Sequence, residues 1–314
     1  MTDYSELIDA ETWAFIEKTA ESYPDDTASL SIAGQRDVYN AMCRVFHAGY
    51  PEGVSAIDDR LAAEGRSIPV RRYTLSAPDA GRALVVYYHG GGYVVGGLES
   101  HDDVCAEICA RTGYSVVAVD YRLCPEFVHP APSDDAIDAF RLLASEFDGP
   151  IVVCGDSAGG NLAAIVSHVT RSERRHPVGQ VLIYPGLGGD NTKGSYVRHA
   201  NAPMLTAADH DFYTDIRAGG ADVSGDATFS ALADADFSGL PPTVVITAQC
   251  DLLSDDGRDY RDALLAAGGK AVWVEEPGLV HGYLRARHSV ARAKASFTRI
   301  VEAVGALGRG EWPY

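Results

Sequence analysis

The sequence has few cysteines, few basic residues and no long apolar run. Its six cysteines, Cys43, Cys105, Cys109, Cys124, Cys154 and Cys250, form no C-x-x-C pair. That argues against a zinc site or a dithiol redox centre. Cys124, Cys154 and Cys250 occupy apolar, strand-like settings, so reduced and mostly buried thiols in a cytoplasmic protein are expected. Lys and Arg number 26 against 44 Asp and Glu, for a formal net charge of -18. A surface so acidic disfavours nucleic acid and anionic membranes as partners. No apolar run reaches the ~18 residues of a membrane helix. The polar start, Met1-Thr-Asp-Tyr-Ser-Glu, lacks the basic and apolar segments of an export signal, so none is expected.

What is present leaves room for a sizeable core. At 314 residues and 46% hydrophobic content, the chain suits one large α/β domain or two small ones. Residues 1–65 read as helical. Trp13, Phe15 and Ile16 fall in one amphipathic stretch, and Val38, Met42, Val45 and Phe46 in another, from Asp37 to His47. This segment could be a packed extension or a cover over a site. From Val70 the pattern changes. Strands are expected at Val70–Leu75 and Arg82–Tyr88, joined by a turn at Pro78-Asp-Ala-Gly81. Strand-like and helix-like stretches then alternate. The strands are Tyr114–Val119, Ile151–Cys154, Val181–Tyr184, Thr243–Ala248 and Ala271–Glu275. The helices are Glu99–Arg111, Ser133–Phe147 with Ser133 as N-cap, Leu162–Thr170, Thr206–Arg217, Gly257–Ala267 and Arg287–Val304. Such alternation implies a mostly parallel sheet covered on both faces. A polar insertion after Gly186, carrying one expected helix, has the size of a lid or binding element.

One stretch carries chemistry. Ile151-Val-Val-Cys-Gly-Asp-Ser157-Ala-Gly-Gly-Asn161 reads as strand, tight turn and helix, with Ser157 at the bend. This is the G-x-S-x-G arrangement that lifts a serine hydroxyl above the end of a sheet. Serine needs a base, and the base needs an orienting acid. Both should come from loops after later strands. Thr243–Ala248 runs into Asp251, and Ala271–Glu275 runs on to His281. The order Ser157, Asp251, His281 fits. Asp255 and Asp256 compete with Asp251 but lie further on, where carboxylates commonly cap a helix. The strand Arg82–Tyr88 ends in His89-Gly90-Gly91-Gly92-Tyr93. Gly91 and Gly92, with the N–H of Ala158, are the expected oxyanion donors. No Lys-Ser/Thr follows, so a phosphate-binding P-loop is not indicated. His89 is expected to brace its loop by hydrogen bonds.

Together these motifs resemble the hormone-sensitive-lipase-like (bacterial family IV) carboxylesterases. Tyr121-Arg-Leu-Cys-Pro-Glu126, Ile183-Tyr-Pro185 and His281-Gly-Tyr283 extend the resemblance over residues 80–285. Leu252 stands where the family usually has Pro after its catalytic Asp, Cys124 replaces Ala, and Tyr283 stands where Phe is commoner. The resemblance implies an α/β-hydrolase fold, a mostly parallel central sheet with helices on both faces plus a helical cap. The cap would be formed by residues 1–50 and 187–225, with the core in 51–186 and 226–314. It also implies hydrolysis of small esters with short to medium acyl chains, no metal or cofactor, and frequent homodimers. Tyr93, Trp13, Phe15, Phe212 and Tyr213 could line the acyl pocket, although core packing is the commoner fate of an aromatic side chain. Amidases and formamidases use the same triad. Gibberellin receptors resemble the family but lack the histidine, which this chain keeps as His281.

Overall fold

In the computed structural model, which describes residues 2–24, 27–76 and 83–314, the chain opens with three helices. These are α1 (Tyr4–Leu7), α2 (Ala10–Ala20) and α3 (Ile32–Phe46). Asp9 caps α2 by accepting from Thr12 N–H, and Ser31 caps α3 by accepting from Gly34 N–H. Then follow β1 (Val54–Ala63), β2 (Arg66–Leu75), β3 (Leu84–Tyr88), α4 (Asp102–Thr112), β4 (Ser115–Val119) and α5 (Ala131–Glu146). The central unit is β5 (Ile151–Asp156), α6 (Ala158–Thr170) and β6 (Gly179–Ile183). The insertion carries α7 (Gly194–Arg198) and α8 (Ala207–Ala218). The chain ends with β7 (Thr243–Cys250), α9 (Ser254–Ala266), β8 (Ala271–Val280) and α10 (Ala291–Gly308).

One eight-stranded sheet runs in the order β1-β2-β4-β3-β5-β6-β7-β8. The first two pairings in that order, β1 with β2 and β2 with β4, are antiparallel, and all the others are parallel. Side chains of the central strands alternate between two cores. Val85, Tyr87, Val152 and Cys154 pack on one face with Val104 of α4 and Phe297 of α10. Val86, Tyr88, Ile151 and Val153 pack on the other with Phe140 of α5, Leu162 of α6 and Leu264 of α9. Both faces are therefore buried, which is why these strands read as apolar runs.

Several expectations need correction. Residues 54–63 form a strand within the stretch read as helical. This edge strand carries Asp58, Asp59 and Arg60, so its alternation is blurred by charge. Strands β2 and β3 are not neighbours, because β4 lies between them. The expected turn at Pro78–Gly81 lies outside the described residues. Ser133 is not the N-cap of α5, which begins at Ala131; its hydroxyl donates to the Thr228 carbonyl instead, at 2.8 Å. The last helix starts at Ala291, after a 3-10 turn at Tyr283–Ala286 and an extended Val290. The insertion contains two helices where one was expected. All six cysteines are buried and free. Among the described residues, no helix is long and apolar enough to cross a membrane.

Candidate active site

Ser157 stands between β5 and α6 with φ 53° and ψ -118°. A non-glycine residue resists that conformation, so its surroundings must impose it. Glycines make the room. A β-carbon on Gly159 would overlap the Tyr88 carbonyl, and one on Gly155 would overlap the Gly159 carbonyl. Only bare backbone lets α6 approach β3 and β5 this closely. Asn161, one turn into α6, donates to the Tyr93 hydroxyl and the Phe229 carbonyl, each at 2.8 Å, and accepts from Ala231 N–H at 3.1 Å. The elbow is thereby tied to the glycine loop and to the segment after the insertion.

Strands β7 and β8 are neighbours, and they deliver the other two residues to Ser157. His281 Nε2 lies 2.8 Å from Ser157 Oγ, and its Nδ1 lies 2.7 Å from Asp251 Oδ2. Asp251 is fully buried, and its other oxygen accepts from Leu253 N–H at 3.0 Å. The imidazole packs 4.9 Å from the Tyr184 ring. Asp255 and Asp256 lie in the first turn of α9, away from the histidine, and accept N–H groups of Ser195 and of Leu187 and Gly188. In that setting burial pushes the Asp256 carboxyl up to about 7, against the hydrogen bonds that favour its charge.

The glycine loop flanks the serine. Gly91 has φ +127° and Gly92 φ +59°. Among the described residues, neither of their N–H groups donates to a protein acceptor. Ala158 is the first residue of α6, where an N–H has no partner within the helix. The loop is braced from behind. His89 Nδ1 contacts the Gly90 carbonyl at 2.8 Å, and its ring stacks 4.3 Å from Tyr121. Burial and the neighbouring His101 press the His89 pKa down to about 4, which keeps the ring neutral. Asp156 accepts from Tyr87 Oη and Gly90 N–H and contacts His101. Burial alone would raise its pKa, but His101, Tyr87 and Arg285 hold it below the usual carboxylate range.

These groups open onto a cavity of about 720 Å³. Gly91, Gly92, Ser157, Ala158 and His281 line one side; Ile16, Met42, Tyr196, Leu205 and Tyr213 belong to the N-terminal helices and the insertion. Tyr93 and Tyr213 line the cavity, and Tyr213 covers Gly92 so closely that a β-carbon there would meet its ring. Trp13, Phe15 and Phe212 do not line it. Phe15 is buried in the core with Trp13 packed against it, and Phe212 is 43% exposed. Helical position alone could not separate these outcomes, because successive side chains point about 100° apart and only packing decides which of them looks inward. Sequence reading missed Tyr39, Met42, Arg217 and Arg285 as lining residues. Only Arg285, four positions after His281, carried a local hint.

Residues 85–285 match the family described as an alpha/beta hydrolase fold, and the chain belongs to it, in the hormone-sensitive-lipase-like branch of carboxylesterases. Carboxylesterase NlhH of Mycobacterium tuberculosis is 39% identical over 254 residues, which cover 77% of this chain and 76% of that protein. The ethyl acetate hydrolase of Pseudomonas putida is 35% identical, over 77% of this chain and 79% of its own. Among solved structures, an ester hydrolase from the Lake Arreo metagenome, complexed with a bipyridine phosphonate derivative, superposes with a TM-score of 0.88. It shares 32% identity and covers 96% of this chain and 99% of its own.

Proposed function

We propose that this protein hydrolyses carboxylic esters of short to medium acyl chain through an acyl-enzyme on Ser157. The observation that carries the reading is the unbroken chain of contacts from Ser157 Oγ through the His281 ring to Asp251, at 2.8 and 2.7 Å. His281 takes the serine proton as Oγ attacks the ester carbonyl, then delivers it to the departing alkoxide. Asp251 fixes the tautomer and stabilises the imidazolium. The N–H groups of Gly91, Gly92 and Ala158 receive the oxyanion; each such donor is worth ~2.7–4 kcal/mol. Water activated by His281 then releases the acid. Residues 1–50 and 187–225 act as a cap whose apolar side chains bound the acyl group.

The test is hydrolysis of p-nitrophenyl esters from acetate to laurate, with Ser157→Ala alongside. Turnover is expected to peak among the shorter esters. In the variant kcat should fall by about 10⁴-fold or more, with an unchanged circular dichroism spectrum. Equal turnover by the variant would remove Ser157 from the mechanism.

A further inference from the structure

Among the described residues, no carboxylate pairs with the guanidinium of Arg285, which lies in the cavity with the histidine. Arg285 belongs to the single 3-10 turn Tyr283–Ala286, just after His281, and lines the same cavity as Ser157. Its Nη2 donates to the Tyr39 hydroxyl, and its guanidinium carbon is 5.0 Å from the centre of that ring. Its Nε is buried with no acceptor. Its Nη1 lies beside Gly282, where a β-carbon would come within 3.3 Å of it. Among the described residues, no Asp or Glu oxygen lies within 4.0 Å of its nitrogens. Asp156 feels its charge, but that carboxylate is engaged by Tyr87, His101 and the Gly90 N–H.

The neighbouring arginines are treated differently. Arg287, two residues on, is bound by Asp103 and Glu107. Arg36 pairs with Glu126, and Arg122 with Asp135. With 44 acidic against 26 basic residues, the chain has carboxylates in excess. Enclosing a cation without one is unfavourable, so stability does not account for Arg285. Tyr39 and the adjoining Cys43 thiol explain where its plane rests, but neither is the carboxylate that a guanidinium lining a cavity would take. Arg217, the other cavity arginine without a carboxylate among the described residues, likewise has a buried Nε with no acceptor, but its other two nitrogens are engaged. It donates to the Phe229 and Thr228 carbonyls and to Ser133, and is stacked on Tyr93 and Phe229.

We propose that Arg285 binds a carboxylate carried by the substrate, so that the preferred esters are anionic, with the scissile bond at Ser157 and the charged end at Arg285. This rests on the ester-hydrolase reading above. A planar guanidinium matches a carboxylate in shape as well as charge. The reaction itself is unaltered: water adds across the acyl C–O bond, giving acid and alcohol, and the bound carboxylate takes no part. The carboxylate could sit on the acyl side, as in a mono-ester of a dicarboxylic acid, or on the alcohol side, as in an acyloxy acid.

Two matched pairs separate these sources. Monoethyl glutarate against ethyl glutaramate places the charge, or its neutral isostere, on the acyl side. 4-Acetoxybutanoate against 4-acetoxybutanamide places it on the alcohol side. In the wild type, kcat/KM measured by pH-stat should favour the acid of one pair by about 30-fold. That ratio should collapse towards one in Arg285→Met and survive in part in Arg285→Lys. If both acids are turned over no better than their amides by a wild type that hydrolyses the amides, the carboxylate site is overturned and the esterase reading stands. Preference persisting in a folded Arg285→Met would also overturn it. If neither these four compounds nor p-nitrophenyl butyrate is hydrolysed, both readings fall together. If Arg285→Met does not fold, Arg285→Lys decides: a ratio there equal to the wild type's, or a wild-type ratio of one, overturns the carboxylate site.

Discussion

The two sides of the cavity are made in different ways. The floor, with Ser157, His281 and the glycine loop, is fixed by backbone. It lies at the ends of β3, β5, β7 and β8, and its residue types are dictated by how closely main chains approach one another. The wall, from α2, α3, α7 and α8, is fixed by side chains meeting across long sequence separations. Arg36 of α3, for example, donates to the Val94 and Cys124 carbonyls and pairs with Glu126. The floor therefore leaves motifs in the sequence, whereas the wall leaves only scattered apolar residues. Substitutions should separate the two: damage to the floor should cost folding or all activity, and damage to the wall should re-tune which ester is taken.

The largest effect is expected at Gly159. Its substitution by Ala drives a β-carbon into the Tyr88 carbonyl, and neither backbone can retreat. Stability should drop by about 3 kcal/mol or more, read from urea unfolding. A midpoint equal to the wild type would show that the floor is less rigid than this packing implies.

Tyr213→Ala tests the wall. The ring covers Gly92 and bounds the cavity, so its removal should let longer acyl chains in. The ratio of kcat/KM for decanoate over butyrate esters should rise by about tenfold, with little change in the unfolding midpoint. A uniform loss across all chain lengths would mean that Tyr213 supports the oxyanion loop rather than shaping the acyl pocket.

A further effect, spread over a range of pH, lies at the seam between floor and wall. Asp256 of α9 accepts N–H groups from Leu187 and Gly188 at the start of the insertion. Burial raises its carboxyl to about 7 in the folded protein, from an ordinary value of 3.8. A raised folded pKa gives stability that is complete below the ordinary value and is lost as pH rises through about 7. The wild type should therefore lose up to about 1.4 kcal/mol per pH unit relative to Asp256→Asn between roughly pH 4 and 7. Parallel stability profiles for the two proteins would show that Asp256 stays charged throughout.

Legibility follows the same division. The Ser157, Asp251 and His281 positions could be read because each sits where a strand ends, and strand ends are marked by apolar runs stopping at polar or glycine residues. The competing Asp255 and Asp256 could be set aside for the same reason. Strand β1 could not be read, because an edge strand with one exposed face and three charged residues lacks a clear period. The roles of Trp13 and Phe212 were equally open. Both are aromatic residues on amphipathic helices, and no local pattern states whether a helix turns a given side to a cavity, a core or solvent.

By itself, the sequence determined the alternating α/β order, the elbow at Ser157, the glycine loop and the carboxylate and imidazole that follow in turn. These depend on local backbone geometry and on hydrophobic period, which neighbouring residues encode. Tertiary structure alone decided the strand order that inserts β4 between β2 and β3, the aromatics that face the cavity, and the different fates of Arg285 and Arg287. Those outcomes depend on which distant segments meet, and two arginines two residues apart look alike until Asp103 and Glu107 are brought to one of them.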